Sequence, residues 1–453
     1  MPTRPAPARQ TRRHVLSGTA AASAVAVSAL TLAACGATGS AVDTTVGTKN
    51  PEAIRGKIVH WSNAQFPFHE DVGAEFVSEF RQQYPNIEYE TSTILGDRFE
   101  KMVAAAAAGT LPDIGMSTPF QVQELGLKGI ARPHDDFMKQ SRIVRQADLW
   151  PSLTYDLIYR GKQYAMPFAP DVRVMYINDT IMQDGGLDPA KPAKDWDELE
   201  DHVRRIYRGG EGKLGFPPFW GSGRLALWLV PFWQLGGELL NKEGDTITID
   251  NEQGIKALEW LKKLHDLQGG WVAVEERRKQ APTSNALFID GAMAYYFATF
   301  TERKSKEFLA SPSLKFHFTP WPIPKGGRRI NYGGNHTYFL TTGSKTPEIA
   351  WKFLEFLAKD DIILRFAKRY DRIPVKIKVP ESQAYQENDP FLKLAVEEMR
   401  VRKFHIPAPG GGEIRELHNK IAMEAASGQR PVREVLRDYS TQMQQILDKY
   451  KGT

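Results

Sequence analysis

The sequence predicts an α/β fold, a mostly parallel sheet covered by helices, divided between two lobes. Three observations point there. At 453 residues the chain exceeds what one ordinary hydrophobic core serves, since domains cluster near 100–200 residues. A strand, helix, strand succession opens the folded part between Lys57 and Glu90, the signature of a βαβ unit. Strand and helix signals then alternate without an internal repeat, which excludes a solenoid or propeller. Aromatic residues at 11% provide ample buriable surface, so a disordered chain is excluded as well.

The N-terminus reads as an address. Residues 1–14 are basic and proline-rich, and Val15–Ala34 carries no charge. The run is dominated by small residues and ends in Leu32-Ala33-Ala34-Cys35, the pattern of a cleaved secretory signal. Cys35, the single cysteine, is predicted to become the lipidated first residue of the mature chain; the other reading is a buried free thiol. Residues 1–35 are thus a lipoprotein signal, and Arg12-Arg13 within it resembles the twin-arginine export motif. Residues 36–55 are small and polar and read as a flexible tether. Such a chain is exported, on the outer face of the cytoplasmic membrane or in the periplasm, and meets the membrane through a lipid anchor only.

Removing the four arginines of residues 1–35 leaves 55 basic against 54 acidic residues. A near-neutral body gives no reason to expect nucleic acid or an anionic membrane as main partner. One cysteine also excludes an internal disulfide and cysteine-based metal sites within the chain.

In the mature chain Lys57–Trp61 reads as the first strand, Asp71–Tyr84 as a helix with Phe76, Val77, Phe80 and Tyr84 on one face, and Ile87–Glu90 as the second strand. A helix over Asp97–Ala108 stops at Gly109, and Leu111–Met116 returns as a short buried strand. Tyr164–Phe168 leads into Val172–Asn178, a β-rich run suited to carrying the chain between lobes. Glu252–Leu267 repeats Ile255, Leu258, Leu261 and Leu264 on one helical face. Lys315–Thr319 is a strand, Pro347–Ala358 a helix opened by proline, and Val432–Tyr450 a last surface helix with Val435, Leu436, Met443 and Leu447 inward.

Catalytic motifs are lacking: there is no HExxH, no GxSxG and no phosphate-binding lysine motif. Lys325-Gly326-Gly327 and Gly410-Gly411-Gly412 lack the following lysine and hydroxyl residue and read as turns. The histidines are scattered, and His265 and His317 read as structural. Paired carboxylates for a glycosidase are always available among 54 acids, and sequence spacing does not test their separation. What stands out is aromatic residues set in polar, glycine-rich segments. Such rings stack on the apolar face of a sugar, each contributing about 1 kcal/mol by analogy with aromatic pairs. Micromolar binding needs about 8 kcal/mol, so several stacks and a hydrogen-bond set must combine in a cleft. Trp228 and Tyr295 sit in hydrophobic company and read as core, whereas Trp61 and Trp233 stay open between core and site.

Six segments in order resemble the large sugar-binding family of extracellular solute-binding proteins of ABC importers. They are the signal ending at Cys35, Gly109–Ile114, Tyr164–Asn178, Gly236-Gly237-Glu238, Phe288–Met293, and Pro324–Asn335 with Gly333-Gly334. One departure is the stretch after Met293, where the family presents a Gly-Pro-Trp turn and this chain has Tyr295-Tyr296-Phe297-Ala298-Thr299-Phe300.

The resemblance implies a two-lobed periplasmic-binding-protein-like fold with a hinge, in which the N-terminal lobe is 55–169 and 332–373 and the C-terminal lobe 170–331 and 374–453. It implies capture of a carbohydrate, expected to be an oligosaccharide, in the interlobe cleft, followed by delivery to the transmembrane permease subunits. The chain would work as a monomer, with no catalytic residue, cofactor or metal. Stacking is assigned to Trp61, Trp220, Trp233, Phe297 and Phe300, and hydrogen bonding to Asn63, Asp171, Arg173, Asn331 and Asn335. Arg173 equally suits an anionic sugar derivative, such as a uronic acid or glycerol phosphodiester, or a structural pair with Asp171. An extracellular glycoside hydrolase and a purely structural surface lipoprotein are the alternatives of other classes.

Overall fold

The computed structural model describes residues 50–63, 72–207, 212–218, 227–382, 385 and 389–451. The signal, Cys35, most of the tether, the chain beyond Asn63 to position 71, and Trp220 lie outside the described residues.

Strands form where β-branched and aromatic residues run between turn residues. In chain order they are β1 (Gly56–Asn63), β2 (Ile87–Ile94), β3 (Ile114–Ser117), β4 (Ile158–Tyr159), β5 (Lys162–Gln163), β6 (Met166–Pro167), β7 (Arg173–Asn178), β8 (Tyr295–Thr299), β9 (Phe316–Thr319), β10 (Asn331–Tyr332), β11 (Thr337–Leu340) and β12 (Arg402–Lys403). The first sheet has the order β2-β1-β3-β11-β6. Its first three strands are parallel, as βαβ connections require, with the helices Val72–Gln83 and Arg98–Ala108 making the crossovers. Asp97 caps the second of these, accepting from Phe99 N and Glu100 N, and Gly109 ends it at φ +69°, a conformation glycine adopts without strain. β11 enters antiparallel to both β3 and β6. The second sheet, β8-β7-β9, is antiparallel throughout.

The first sheet is therefore mixed and the second antiparallel, where mostly parallel sheets were expected. The physical reason is the return of the chain. β11 comes back to the first sheet after more than 150 residues spent elsewhere, so no crossover helix ties its direction to β3.

β7 is buried along its whole length, Arg173 to Asn178. Its side chains alternate between two cores. Val174 and Tyr176 join the cluster containing Ile58, Phe80, Phe353 and Trp351, while Met175 and Ile177 join the cluster of Trp228, Phe232, Leu258 and Leu436. Tyr296 and Tyr295 divide the same way on β8. A strand with apolar packing on both faces reads as a continuous hydrophobic run, which is what Val174–Ile177 shows. The second core is walled by the helices Glu252–Asp266, Gly411–Ser427 and Val432–Asp448. Gly411 and Gly412 thus belong to a helix, and of the predicted triple-glycine turn only Gly410, at φ +78°, remains outside it. Lys325-Gly326-Gly327 is a turn, closed by Gly327 N donating to Pro324 O.

Two histidines inside these cores carry no catalytic arrangement. His134 accepts the Leu340 N–H on Nε2 at 3.1 Å, and His418 is fully buried beside Trp228. Burial pushes each imidazole down to about 3, so both are neutral in the folded chain at neutral pH. In the unfolded chain they titrate near 6.5. Stability from keeping them neutral is complete above that value and is lost as pH falls toward 3, by up to about 1.4 kcal/mol per pH unit for each ring. Thermal midpoints recorded from pH 7.5 to 4.5 should fall, and His418→Phe should flatten the fall; parallel curves for the two proteins would rule out the buried neutral ring.

Candidate functional site

Between the two sheets the chain crosses at Ala169–Arg173 and again at Asn331–His336. Buried backbone must find partners there. Asn331, fully buried, supplies them: its Oδ1 accepts from Arg173 N at 3.0 Å and its Nδ2 donates to Arg173 O at 2.5 Å and to Glu398 Oε2 at 2.6 Å. Glu398 also accepts from Arg329 Nε at 2.7 Å. Burial pushes the Glu398 carboxyl above its ordinary value, with Arg329 and Asn331 pulling the other way. Asp171 accepts from Gly334 N at 2.9 Å and pairs with Arg173 at 3.5 Å. Burial acts to raise the Asp171 carboxyl, but Arg173 and the Gly334 N–H outweigh it and hold it below the ordinary value. The Arg173 guanidinium lies 4.5 Å from the Tyr332 ring centroid and donates to Tyr332 O at 3.4 Å. Gly333 is required here by space: a Cβ would come within 2.2 Å of Asp171 O.

Beside this crossing lies a cavity of about 890 Å³. That is toward the upper end of the ~300–1,000 Å³ usual for small-molecule sites. One wall comes from the segment after the first sheet's helices, with Tyr155 and Asp156 in the helical turn before β4 and Tyr159 and Arg160 at the β4–β5 hairpin. The rest of the lining comes from the second core's side and carries Trp233, Glu238 and Leu240, with Lys403 on β12, the partner strand of β10, then Phe404 and His405, and with Tyr450 near the chain's end. Tyr155 is 63% exposed, an aromatic ring held open to solvent.

Several of the charges in this cavity are held by opposite charges. Arg402 meets Asp156 at 2.8 Å with both side chains buried. Glu238 accepts from Lys403 at 2.6 and 2.7 Å and from Arg328 at 2.6 Å. Burial would raise the Glu238 carboxyl, yet Lys403 and Arg328 hold it below its ordinary value. His405 Nε2 shares a hydrogen bond of 2.7 Å with the Tyr332 hydroxyl, and burial drives its ring well below the ordinary histidine value. Among the described residues no cluster of three or more His, Cys, Asp or Glu gathers to hold a metal ion.

The ten residues assigned from sequence fall in different places. Trp233 lines the cavity, stacked on Tyr332 at 6.4 Å and 19°, with the Lys403 ammonium 5.8 Å from its ring centroid. Asp171, Arg173 and Asn331 gather at the crossing, and Asn335 beside them accepts from Phe168 N at 3.4 Å. Trp61 is half-buried on β1 against the cluster of Met102, Val122 and Phe339, and Asn63 ends β1 opposite Ile94. Phe297 is buried under β8, edge-on to Trp321 at 4.5 Å, and Phe300 is buried in the first core. Trp220 lies outside the described residues.

Sequence reading missed Tyr155, Tyr159, Phe404 and Tyr450. The available signal was phase: Tyr155 follows the buried Trp150 and Leu153 off their apolar face, and Phe404 sits between Lys403 and His405 with no periodic neighbours. Asn331→Ala should strand the Arg173 backbone groups and Glu398 together and cost about 2–3 kcal/mol. Urea unfolding at unchanged m-value checks this, and a loss under about 0.5 kcal/mol would remove Asn331 as the holder of the crossing.

Comparison with known proteins adds three likenesses. The family model for bacterial extracellular solute-binding proteins matches residues 67–362. A Brucella abortus protein described only in general terms, as a binding protein, is 25% identical over 404 residues, 87% of this chain and 93% of its own length. The maltodextrin-binding protein of Bacillus subtilis is 22% identical over 406 residues, 86% of this chain and 90% of that one. In fold, the chain matches the solved sugar-binding protein MalE from Xanthomonas citri with a TM-score of 0.76 at 19% identity, covering 87% of this chain and 98% of that one.

Proposed function

Because this chain belongs to the bacterial extracellular solute-binding proteins, we propose that it captures a neutral oligosaccharide in the cavity between its two α/β halves and hands it to the transmembrane subunits of an ABC importer. The observation that carries this reading is the cavity itself: aromatic rings along its lining, with the buried Asp156 and Arg402 already paired. Rings at Tyr155, Tyr159, Trp233 and Phe404 suit the apolar faces of successive sugar units. Asp156 with Arg402, and Glu238 with Lys403 and Arg328, offer fixed dipoles to hydroxyl groups and leave little field for a charged ligand. The volume favours several sugar units over one. A maltodextrin is the ligand class of the Bacillus subtilis relative, and it is the first to test.

Arg173, on which an anionic ligand would depend, pairs with Asp171 and faces Tyr332. That arrangement supports a structural pair at the crossing. The lobes divide at the crossing, 55–169 with 332–373 against 170–331 with 374–453. In support, β6 and β11 belong to the first sheet and β7 and β8 to the second. A ligand touching both walls favours the closed form only by its differential affinity for that form. The sugar leaves chemically unchanged, and hydrolysis of ATP belongs to the partner. Lipidation at Cys35 and the tether of residues 36–55 keep the body at the outer membrane surface, within reach of the permease.

Melting the protein against a panel of mono- and oligosaccharides tests the ligand class. A maltodextrin of three or more units should raise the thermal midpoint, since a ligand bound only by the folded form stabilises it; no shift from any sugar in the panel would overturn the reading. Affinity should be nearly unchanged between 50 and 500 mM salt, whereas a steep decline would mark an anionic ligand. Tyr155→Ala removes an exposed ring and leaves both cores intact. It should weaken oligosaccharide binding by about fivefold, on the order of 1 kcal/mol, with the unliganded midpoint retained.

A further inference from the structure

The run Gly410-Gly411-Gly412 opens the 17-residue helix Gly411–Ser427, and no side chain of its own caps it. An α-helix leaves N–H groups unpaired at this end, where its dipole is positive. The acceptor comes from the other half of the molecule. Glu124 Oε2 lies 3.3 Å from Gly410 N, and its Oε1 accepts from the Tyr450 hydroxyl at 3.2 Å. Glu124 belongs to the helix Pro119–Leu127, which follows β3 directly and packs through Val122 and Leu125 on Leu157 and Phe339. Gly410 and Tyr450 belong with the second core. The Glu124 side chain is only 11% exposed, with Lys128 of its own helix at 3.5 Å.

The surroundings are shaped for this contact. A Cβ on Gly411 would come 2.7 Å from Phe120 O, so the helix start approaches the Phe120 backbone as closely as glycine allows. The Phe120 ring meets His405 edge-on at 5.9 Å and Phe404 at 6.3 Å, and the Arg415 guanidinium is 5.1 Å from its centroid. Gln123, Pro409 and Tyr450, the immediate neighbours of the contact, line one end of the cavity.

We propose that Glu124 is a clasp: its carboxylate, seated on the N-terminus of the helix Gly411–Ser427 and under the Tyr450 hydroxyl, holds the two halves together at one end of the cavity before any ligand arrives. The contact joins groups that separate when the halves part, so it biases the open–closed equilibrium directly. Resting on the solute-binding reading, the clasp also sets affinity, because a ligand taken only by the closed form binds in proportion to the closed fraction.

Small-angle X-ray scattering of the ligand-free protein tests the clasp. Glu124→Gln keeps an acceptor but removes the charge, and should shift the open-to-closed ratio about tenfold, equal to about 1.4 kcal/mol, seen as a larger radius of gyration. Gly411→Ala should shift it in the same direction, because the new methyl meets Phe120 O. Tyr450→Phe keeps the ring and both cores and should give a smaller shift of the same sign. An unchanged radius of gyration in Glu124→Gln and Tyr450→Phe together overturns the proposal. No sugar is present in this measurement, so its failure leaves ligand capture standing, and failure of every sugar in the melting panel leaves the clasp standing.

Discussion

Two strands that pass side by side from one sheet to the other must bury their peptide groups without the ladder that a sheet interior provides. One amide side chain resolves this. Asn331 pairs with both the N–H and the C=O of Arg173, which a carboxylate or a hydroxyl would not do in the same geometry, and its remaining donor reaches Glu398. The pair Asp171 and Arg173, the Gly334 N–H and the close approach of Gly333 complete the crossing. The β10–β12 pairing ties this join to one side of the cavity.

The cavity is a consequence of how the join is surrounded. β10 pairs with β12 in parallel, Tyr332 opposite Lys403, and this places Lys403, Phe404 and His405 next to the crossing. The buried Arg402 faces Asp156 on the opposite wall. A buried pair of this kind contributes modestly to stability, since the desolvation of both ions offsets their attraction. In the proposed site its effect would be on specificity: the pair ties Arg402 to Asp156 and removes a free charge from the cavity. Glu238 is held by Lys403 and Arg328 at a half-exposed position, where solvent weakens the attraction.

The aromatic residues illustrate why composition is an incomplete guide to a sugar site. Phe297 and Phe300 lie in a segment rich in aromatic residues, yet β8 turns its side chains alternately into two cores, and neither ring lines the cavity. Trp233 lines it while also stacking on Tyr332. Tyr155 lines it from a short helical turn whose neighbour Leu153 is buried. The chemistry of the rings was readable; which face of each element would meet the cavity depended on partners far away in the chain.

What the sequence alone determined was local: the helix at Arg98–Ala108 with Asp97 and Gly109 at its ends, the amphipathic helix at Glu252–Asp266, the buried run of β7 and the βαβ start. These follow from periodicity, capping and turn chemistry, which act within a few residues. The tertiary structure alone decided the antiparallel entry of β11, the sharing of the second sheet between two cores, the helical state of Gly411 and Gly412, and the meeting of Tyr155 with Trp233 and Phe404 around one space. Each of these joins residues separated by tens to hundreds of positions, and no local pattern records which distant surface will be there to meet.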